Sequence, residues 1–301
     1  MFIEETSLII ATKERLNSLR RFFFSINEYI NKFNEILIID SSSKIVHKKI
    51  IDNFSEYKNL KIINSEASSS LQRNIGIKNF NKNNKFVMFC DDDIIFHGNS
   101  FLNMDQFINQ FPDNVGYGFN LLEKKNLGYL EKLKKIDFLM NSGFYHNNPG
   151  IVCQNGWHTK ISNAEKNHRA MWLSTQACIY NSKYINNKTS FDINLGKYSY
   201  LEDLFFSYDL GKKGRLDIVY NATYLHPDNI NRTSMSFGIK EVLNRYKFVK
   251  KNNLNLIKFF ITIFLKSLIT FLQILVLRIN LIPKFFGNLF GIILCIIKIK
   301  K

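Results

Sequence analysis

The sequence has 301 residues, of which 46% are hydrophobic, so it can form one large α/β domain with an appendage. The formal net charge of +16 is concentrated late in the chain, because no Asp or Glu follows Glu241. The 11 Lys and Arg residues beyond Glu241 are interleaved with apolar runs, which favours an anionic membrane over nucleic acid. The four cysteines form no CxxC pair, which excludes the common zinc and redox motifs.

The first part of the chain alternates short apolar runs with amphipathic stretches. The apolar runs predict four strands: Ser7–Ala11, Glu35–Asp40, Leu60–Asn64 and Lys85–Cys90. The stretches between them predict three helices: Glu14–Tyr29, Lys44–Tyr57 and Ser69–Phe80. This order is typical of an α/β fold with a doubly wound, mostly parallel sheet flanked by helices. Such sheets bind ligands at the carboxyl ends of their strands, so we look for functional residues there.

The middle of the sequence, from about Val115 to Ile185, is less periodic. We interpret it as an acceptor-side region with one further strand near Thr175–Tyr180. Farther on, Leu201–Gly211 predicts a helix, and Asp217–Leu225 predicts a strand that ends at His226.

The end of the chain predicts a helical tail over residues 231–301. Leu254–Leu277 is long enough to cross a bilayer, but polar residues recur along one helix face: Lys258, Thr262, Lys266, Thr270 and Gln273. Such a stripe favours a basic amphipathic helix in the membrane interface, and Phe285–Ile297 is short for a span. A transmembrane hairpin, or packing of both helices on the domain, is the alternative. The acidic start of the chain predicts no secretory signal and a cytosolic domain.

Three adjacent carboxylates, Asp91, Asp92 and Asp93, follow the fourth predicted strand. Carboxylates held this close repel one another, and a divalent cation such as Mg²⁺ or Mn²⁺ relieves the repulsion. Because alternate residues of an extended segment point the same way, Asp91 and Asp93 can face one ion. A solvated acidic turn is the structural alternative.

Other polar residues lie at ends of predicted elements. Asp40 can accept a hydrogen bond from a nucleobase or ribose; alternatively, Asp40 or one of the serines that follow it caps the next helix, and the two roles are compatible if a serine is the cap. Arg73 lies in a first helical turn, where an anion or carbonyl partner would offset the unfavourable dipole. Glu202 and Asp203 suit a helix start, and one of them can act as a general base. His226 is either a third metal ligand or a packed structural histidine.

In this order the segments resemble the family 2 glycosyltransferases of the GT-A fold. The similar segments lie between Ser7 and His226: SLIIATKER, EILIIDSSS, SSSLQRNIGI, FVMFCDDDIIF, FDINLGKYSYLEDLFFSYDLGKKG and IVYNATYLH. The resemblance implies a metal-dependent, inverting enzyme that moves a sugar from a nucleotide diphosphate-sugar to an acceptor hydroxyl. It also implies a GT-A domain over residues 1–230, with a nucleotide-binding half in about 1–120 and an acceptor half in about 121–230.

The resemblance further implies a role for each candidate residue. Three residues would hold Mn²⁺ or Mg²⁺: Asp91, Asp93 and His226. Five residues would bind the donor: Thr12, Glu14, Asp40, Arg73 and Asp92. Asp203 would be the catalytic base, and Glu202 would orient the acceptor. The middle region matches no acceptor motif of the family, and four of its residues could stack on or bond a sugar, although tryptophan is more often a core residue: Trp157, His158, His168 and Trp172.

The expected partners are a nucleotide-sugar donor, a saccharide or lipid-linked saccharide acceptor, and an anionic inner-membrane surface, with no nucleic acid. We expect the cytoplasmic face of a bacterial inner membrane and a role in cell-surface polysaccharide or lipid-linked glycan synthesis. A degenerate GT-A domain that acts as a membrane-bound scaffold is one alternative. A sugar nucleotidyltransferase is disfavoured, because ATKERLNSL lacks the glycine of a phosphate-binding loop.

Overall fold

The computed structural model describes residues 1–123, 142–186, 188–196, 199–227 and 232–299. The chain forms two compact units. The first unit comprises Met1–Lys124 and Lys160–Asp228, and the second comprises Lys125–Thr159 and Asn229–Lys301. The predicted domain boundary at residue 230 and part of the predicted acceptor-side region, residues 124–141, lie outside the described residues.

The first unit begins with the predicted alternation of strands and helices. Its strands are β1 (Thr6–Thr12), β2 (Glu35–Asp40), β3 (Leu60–Asn64) and β4 (Phe86–Asp91). Its helices are α1 (Leu16–Ser25), α2 (Lys44–Phe54) and α3 (Ser69–Asn79). Helix α1 starts two residues later than predicted, because Glu14 adopts a left-handed conformation with φ of 55° that a helix cannot include.

The remainder of the first unit contains short strands and two helices. The strands are β5 (Ile95–Phe96), β6 (Gly116–Leu121), β7 (His168–Ala170), β8 (Ala177–Asn181) and β9 (Leu216–Leu225). The helices are α4 (Ser100–Gln110) and α5 (Glu202–Gly211). The predictions near Thr175, Leu201 and Asp217 correspond to β8, α5 and β9.

These strands form one sheet in the order β3-β2-β1-β4-β8-β6-β9-β5, with β7 beside β9. Strands β3, β2, β1 and β4 are parallel, as predicted, whereas β8 runs antiparallel to both β4 and β6. Thr12 pairs with Asp40, and Ala11 pairs with Asp91. The register therefore places the predicted donor and metal residues at one edge of the sheet.

The core lies on both faces of this sheet, and its strands β1, β2 and β4 are almost entirely buried. Ile9 of β1 is buried beneath α3. A Cβ atom on Gly76 would lie 2.4 Å from Ile9 Cγ2, so glycine allows α3 to approach β1 closely. Ser68 caps α3 by accepting a hydrogen bond from the Leu71 amide at 3.4 Å. Packing and capping together fix where α3 presents Arg73.

The second unit contains three long helices: α6 (Met235–Lys251), α7 (Leu256–Leu275) and α8 (Ile282–Ile299). Its small core is formed by Val242, Tyr246, Val249, Phe259, Ile263 and Cys295. Two described stretches, Leu256–Leu275 and Ile279–Ile297, are long and apolar enough to cross a membrane. Only 17% and 22% of their most apolar windows are buried within the protein. The first unit thus has the GT-A-like mixed α/β architecture, and the second carries exposed apolar helices.

The polar stripe of α7 differs from the prediction in its surroundings. Lys258 Nζ donates to the Ser142 carbonyl at 2.6 Å, and Asn155 Nδ2 donates to Thr262 Oγ1 at 2.9 Å. These side chains therefore satisfy backbone and amide groups within the second unit. Sequence periodicity reports a polar face but cannot distinguish water from a polar loop as its neighbour.

Candidate functional site

The acidic cluster at the end of β4 is largely buried. The side chains of Asp92 and Asp93 are 5% and 3% exposed, and that of Asp91 is 27% exposed. Thr12 Oγ1 donates to Asp92 Oδ2 at 2.5 Å, which ties the end of β1 to the cluster. Arg15 Nη1 lies 2.5 Å from Asp93 Oδ2 and 3.3 Å from Asp92 Oδ1. A flexible cation thus neutralises part of the cluster.

Asp91, Asp93 and His226 converge as the sequence predicts. One potential ligand atom from each lies within 4.8 Å of the other two. His226 Nε2 is 3.2 Å from Asp93 Oδ1, yet that buried oxygen makes no hydrogen bond of good geometry. A buried carboxylate oxygen without such a partner is costly unless a cation binds it. The two carboxylates supply the hard oxygen ligands that Mn²⁺ and Mg²⁺ prefer, and the imidazole can add one nitrogen ligand.

The electrostatic environment differs among the three aspartates. Burial raises the pKa of Asp91, although Arg73 opposes the effect. Burial also raises the pKa of Asp92 to about 7, against the hydrogen bond from Thr12. Burial acts in the same sense on Asp93, but His226 and Arg15 outweigh it and hold its pKa below the usual value. The adjacent Asp93 carboxylate correspondingly raises the pKa of His226. The site therefore holds carboxylates that are poorly compensated without a cation.

Arg73 joins the acidic cluster to helix α5. Its Nη2 donates to Asp91 Oδ1 at 2.7 Å, and its Nη1 donates to Glu202 Oε1 at 2.8 Å. The guanidinium carbon lies 5.7 Å from the centre of the Phe191 ring. The sequence predicts a buried anionic or carbonyl partner for Arg73, and the partners are these two carboxylates. The predicted nucleotide contact of Arg73 stays a prediction.

Glu202 and Asp203 begin α5, as the sequence predicts. They follow Leu201, which adopts a left-handed conformation with φ of 75° although it is buried. Burial raises the pKa of Glu202 to about 7, and Arg73 opposes that shift. Ser69 Oγ also lies 3.3 Å from Glu202 Oε1, whereas Asp203 Oδ1 accepts from the Leu204 amide at 2.8 Å. The two carboxylates therefore lie in different surroundings.

Asp40 and Glu14 organise the loops beside the cluster. Asp40 is fully buried and accepts from the Ser42 amide at 2.9 Å, while His47 Nδ1 lies 2.6 Å from its other oxygen. Glu14 accepts from the Ser43 amide at 2.5 Å. Ser43 precedes α2 without a side-chain capping bond, so the predicted serine cap is wrong. Instead, Glu14 accepts the hydrogen bond of the Ser43 amide, and Asp40 accepts one from the Ser42 hydroxyl.

Sequence reasoning missed Arg15, His47 and Phe191. Arg15 follows β1 at the same sheet edge as the aspartates, and this position is the signal that could have identified it. His47 and Phe191 reach the site through tertiary folding, and their neighbours in sequence give no comparable signal. Of the sugar-contact candidates, Trp172 is buried at 4% exposure, and Trp157 and His158 belong to the second unit.

Comparisons with known proteins agree with this architecture. The family model described as Glycosyl transferase family 2 matches residues 7–194, which is more than half of the chain. No curated protein sequence matches the chain significantly.

Several solved structures share the fold. S. aureus TarS 1-349 has a TM-score of 0.53 at 16% identity, over 85% of this chain and 70% of that chain. GalNAc-T7, solved with UDP, GalNAc and Mn²⁺, has a TM-score of 0.59 at 14% identity, over 81% of this chain and 47% of that chain. The mannosyltransferase PcManGT from Pyrobaculum calidifontis, solved with GDP-Man and Mn²⁺, has a TM-score of 0.55 at 12% identity, over 82% and 64%. The match over residues 7–194 shows that the chain belongs to glycosyl transferase family 2.

Proposed function

We propose that the protein transfers a sugar from a nucleotide diphosphate-sugar to an acceptor hydroxyl, with inversion at the anomeric carbon. The observation that carries this proposal is the convergence of Asp91, Asp93 and His226 around a buried carboxylate oxygen that lacks a hydrogen bond. Membership of glycosyl transferase family 2 supports the reaction class. The solved neighbours with UDP or GDP-Man and Mn²⁺ support the kind of donor and cofactor.

Asp91, Asp93 and His226 would hold Mn²⁺ or Mg²⁺. The bound cation would supply electrostatic stabilisation of the departing diphosphate. Thr12 would fix Asp92 beside this site through its hydrogen bond of 2.5 Å. Arg15, whose side chain is 42% exposed, can move away from the carboxylates and pair with the diphosphate of the donor. These residues would therefore bind and orient the diphosphate.

The nucleotide would lie beyond the ends of β1 and β2. Thr12, Glu14 and Asp40 lie at this edge, and Asp40 is held by Ser42 and His47. Arg73 would hold the aspartates that bind the donor in a fixed position relative to α5, because it bridges Asp91 and Glu202. Such positioning of two substrates contributes a large part of the rate enhancement in bimolecular reactions.

Asp203 would act as the catalytic base. The acceptor oxygen would attack the anomeric carbon while the bond from that carbon to the diphosphate breaks, and Asp203 would take the hydroxyl proton. Glu202 would orient the acceptor, since Arg73 and Ser69 already fix one of its oxygens. Direct displacement of this kind inverts the anomeric centre.

We assign residues 1–230 to catalysis and residues 231–301 to association with an anionic membrane. Large apolar side chains on α7 and α8 are exposed, including Phe264 at 64% and Phe286 at 56%. Their exposure supports a peripheral or monotopic attachment. Acceptors at such a surface would be saccharides or lipid-linked saccharides, in synthesis of the bacterial cell envelope on the cytoplasmic face of the inner membrane.

The proposal is tested by a thermal-shift panel of nucleotide diphosphates and their sugars, each with and without Mn²⁺ or Mg²⁺. We expect one nucleotide to raise the melting temperature in a metal-dependent way, and Asp93→Ala to abolish the shift. Glu35→Gln, a buried acid at the opposite strand end, is the matched control. Absence of any shift in folded wild-type protein would contradict the proposal and favour the scaffold alternative.

A further inference from the structure

The carboxylate of Asp40, at the carboxyl end of β2, is shielded from any ligand. Its side chain is 0% exposed. Oδ1 accepts from the Ser42 amide at 2.9 Å and from the Ser42 hydroxyl at 2.5 Å. Because a carboxylate oxygen has two lone pairs, Ser42 alone saturates this oxygen. A nucleobase could therefore contact Oδ1 only by displacing Ser42.

His47 covers the other oxygen of Asp40. Its Nδ1 lies 2.6 Å from Asp40 Oδ2, and its side chain is 21% exposed. The accessible part of this pair thus belongs to the imidazole. Within the described part of the chain, the second ring nitrogen, Nε2, has no hydrogen-bond partner.

The carboxylate determines which nitrogen of His47 carries the proton. An ionised carboxylate only accepts hydrogen bonds, so Nδ1 is the donor between the two groups. In the neutral ring, Nε2 then has a lone pair and can accept a hydrogen bond. The ring is also held in orientation, since Asp40 is itself fixed by Ser42.

This acceptor lies beside the proposed donor site. Thr12 of β1 pairs with Asp40 of β2, and Ala11 of β1 pairs with Asp91 of β4. Neighbouring strands are ~4.8 Å apart, so the ends of β2 and β4 are separated by roughly 10 Å. A ribose with its 5′-phosphates can extend over this distance. The base would then lie at the β2 end and the diphosphate at the β4 end.

We propose that His47 Nε2 accepts a hydrogen bond from the imide N3–H of a uracil or thymine base. Asp40 would be a positioning residue that acts through His47, and would not contact the base itself. This inference rests on the proposed function, and it adds to it the chemical class of the donor's base.

A single acceptor distinguishes the imide bases from the others. Uracil and thymine present one N–H between two carbonyl groups, which requires one acceptor. Guanine presents two adjacent donors, N1–H and the 2-amino group, and one of them would stay unpaired at His47. Cytosine and adenine carry a lone pair on the corresponding ring nitrogen, which repels the lone pair of Nε2.

The test is titration calorimetry of the full chain at pH 8 with Mg²⁺ and four nucleotides: UDP, dTDP, GDP and CDP. The tighter of UDP and dTDP identifies the base, and we expect it to bind at least about tenfold more tightly than GDP or CDP. A fifth ligand is its N3-methyl derivative, which lacks the imide N–H. We expect methylation to weaken binding to the wild type at least about tenfold.

His47→Asn separates contact with the base from support of Asp40. The amide nitrogen of an asparagine can take the place of Nδ1 and donate to Asp40, but no atom takes the place of Nε2. We expect the variant to bind the imide nucleotide about 5–10-fold more weakly, and to bind the N3-methyl derivative within about twofold of it. His97→Asn makes the same change at an exposed histidine after β5, toward the opposite end of the sheet, and should retain the full effect of methylation.

Kinetics give a second readout for His47→Asn. The base is remote from the anomeric carbon, so its contact with His47 is the same in the bound substrate and in the transition state. We therefore expect KM for the donor to rise about 5–10-fold while kcat stays nearly unchanged. A loss in kcat at unchanged KM would overturn the assignment of His47 to the base.

The outcomes separate His47 from Asp40 and from the reaction itself. An undiminished effect of methylation in His47→Asn would overturn the proposal and assign the contact to Asp40. Equal binding of the nucleotide and its N3-methyl derivative by the wild type would overturn it even if the variant does not fold, as would tighter binding of GDP or CDP. If no nucleoside diphosphate binds the wild type, the proposed function fails as well, whereas binding that does not depend on N3–H contradicts only the role of His47.

Discussion

The two ends of the parallel strands hold buried carboxylates in opposite ways. At the amino end of β2, Glu35 accepts from Ser7 Oγ and the Asn81 amide at 2.8 Å each, and from Lys61 Nζ at 3.0 Å. Burial acts to raise the pKa of Glu35, but these donors outweigh it and lower the pKa. At the carboxyl end of these strands, and at the start of α5 that Arg73 joins to it, burial has the larger effect and raises the pKa of Asp92 and of Glu202 to about 7.

One sheet thus keeps a stabilising carboxylate and the candidate functional carboxylates at opposite ends of its strands. Glu35 is fully supplied with donors, so its charge stabilises the fold. Asp91, Asp92 and Glu202 have too few donors to offset their burial, so they favour an added cation or proton. Groups with perturbed pKa values at strand ends are functional-site candidates for this reason.

The largest expected effect is on catalysis, in Asp203→Asn. Loss of a general base should lower kcat by about 10²–10⁴-fold, while the metal-dependent thermal shift by the nucleotide survives. Release of nucleoside diphosphate from the donor in the presence of acceptor measures the rate. Glu202→Gln is the companion variant, and we expect a smaller loss in kcat. Full activity in Asp203→Asn would remove this residue as the base.

The next effect is on stability, in Arg73→Gln. The variant leaves Asp91 and Glu202 without their shared cation, so we expect the free energy of unfolding to fall by about 3–5 kcal/mol. Urea unfolding at pH 7 in metal-free buffer measures it. Arg20→Gln, which removes an exposed arginine from α1, is the control and should change stability by less than about 0.5 kcal/mol. Equal losses in the two variants would contradict the bridging role of Arg73.

Glu35→Gln tests the other strand end. Since the folded-state pKa of Glu35 is lowered below 4.5, its charge stabilises the protein above that pH. This contribution is lost as the pH falls through the folded-state pKa. We expect the variant to be less stable by about 1–2 kcal/mol at pH 7 and the difference to shrink below pH 4.5. A difference that does not change with pH would show that Glu35 acts by packing alone.

The smallest effect is expected for Arg15→Gln. Because Arg15 competes with a cation for Asp92 and Asp93, its removal should raise the affinity for Mn²⁺ a few-fold in the absence of nucleotide. Lys13→Gln removes an exposed charge from the same loop and should change the affinity less. Weaker Mn²⁺ binding in Arg15→Gln would argue against competition.

The sequence predicts the parallel half of the sheet and its functional edge well. Apolar runs alternate with helical periodicity there, and strand order then brings Asp40 and Asp91 together. It does not predict that β8 enters antiparallel between β4 and β6, because pairing of distant strands has no local signature. The sequence does not identify Arg15, because it predicts a helix that begins at Glu14. In the structure Glu14 is in a left-handed conformation and α1 begins only at Leu16, so Arg15 belongs to the loop after β1.

The most direct test is the paramagnetic resonance signal of free Mn²⁺ during titration of the protein with UDP or GDP present. The signal also falls when free nucleotide binds Mn²⁺, so the loss beyond that of a protein-free titration reports occupancy of the protein without any assay of transfer. We predict binding of one ion per chain in the wild type and in Glu35→Gln, and at least about 100-fold weaker binding in Asp93→Asn. Equal binding in Asp93→Asn and Glu35→Gln would contradict a metal site at the carboxyl edge of the sheet.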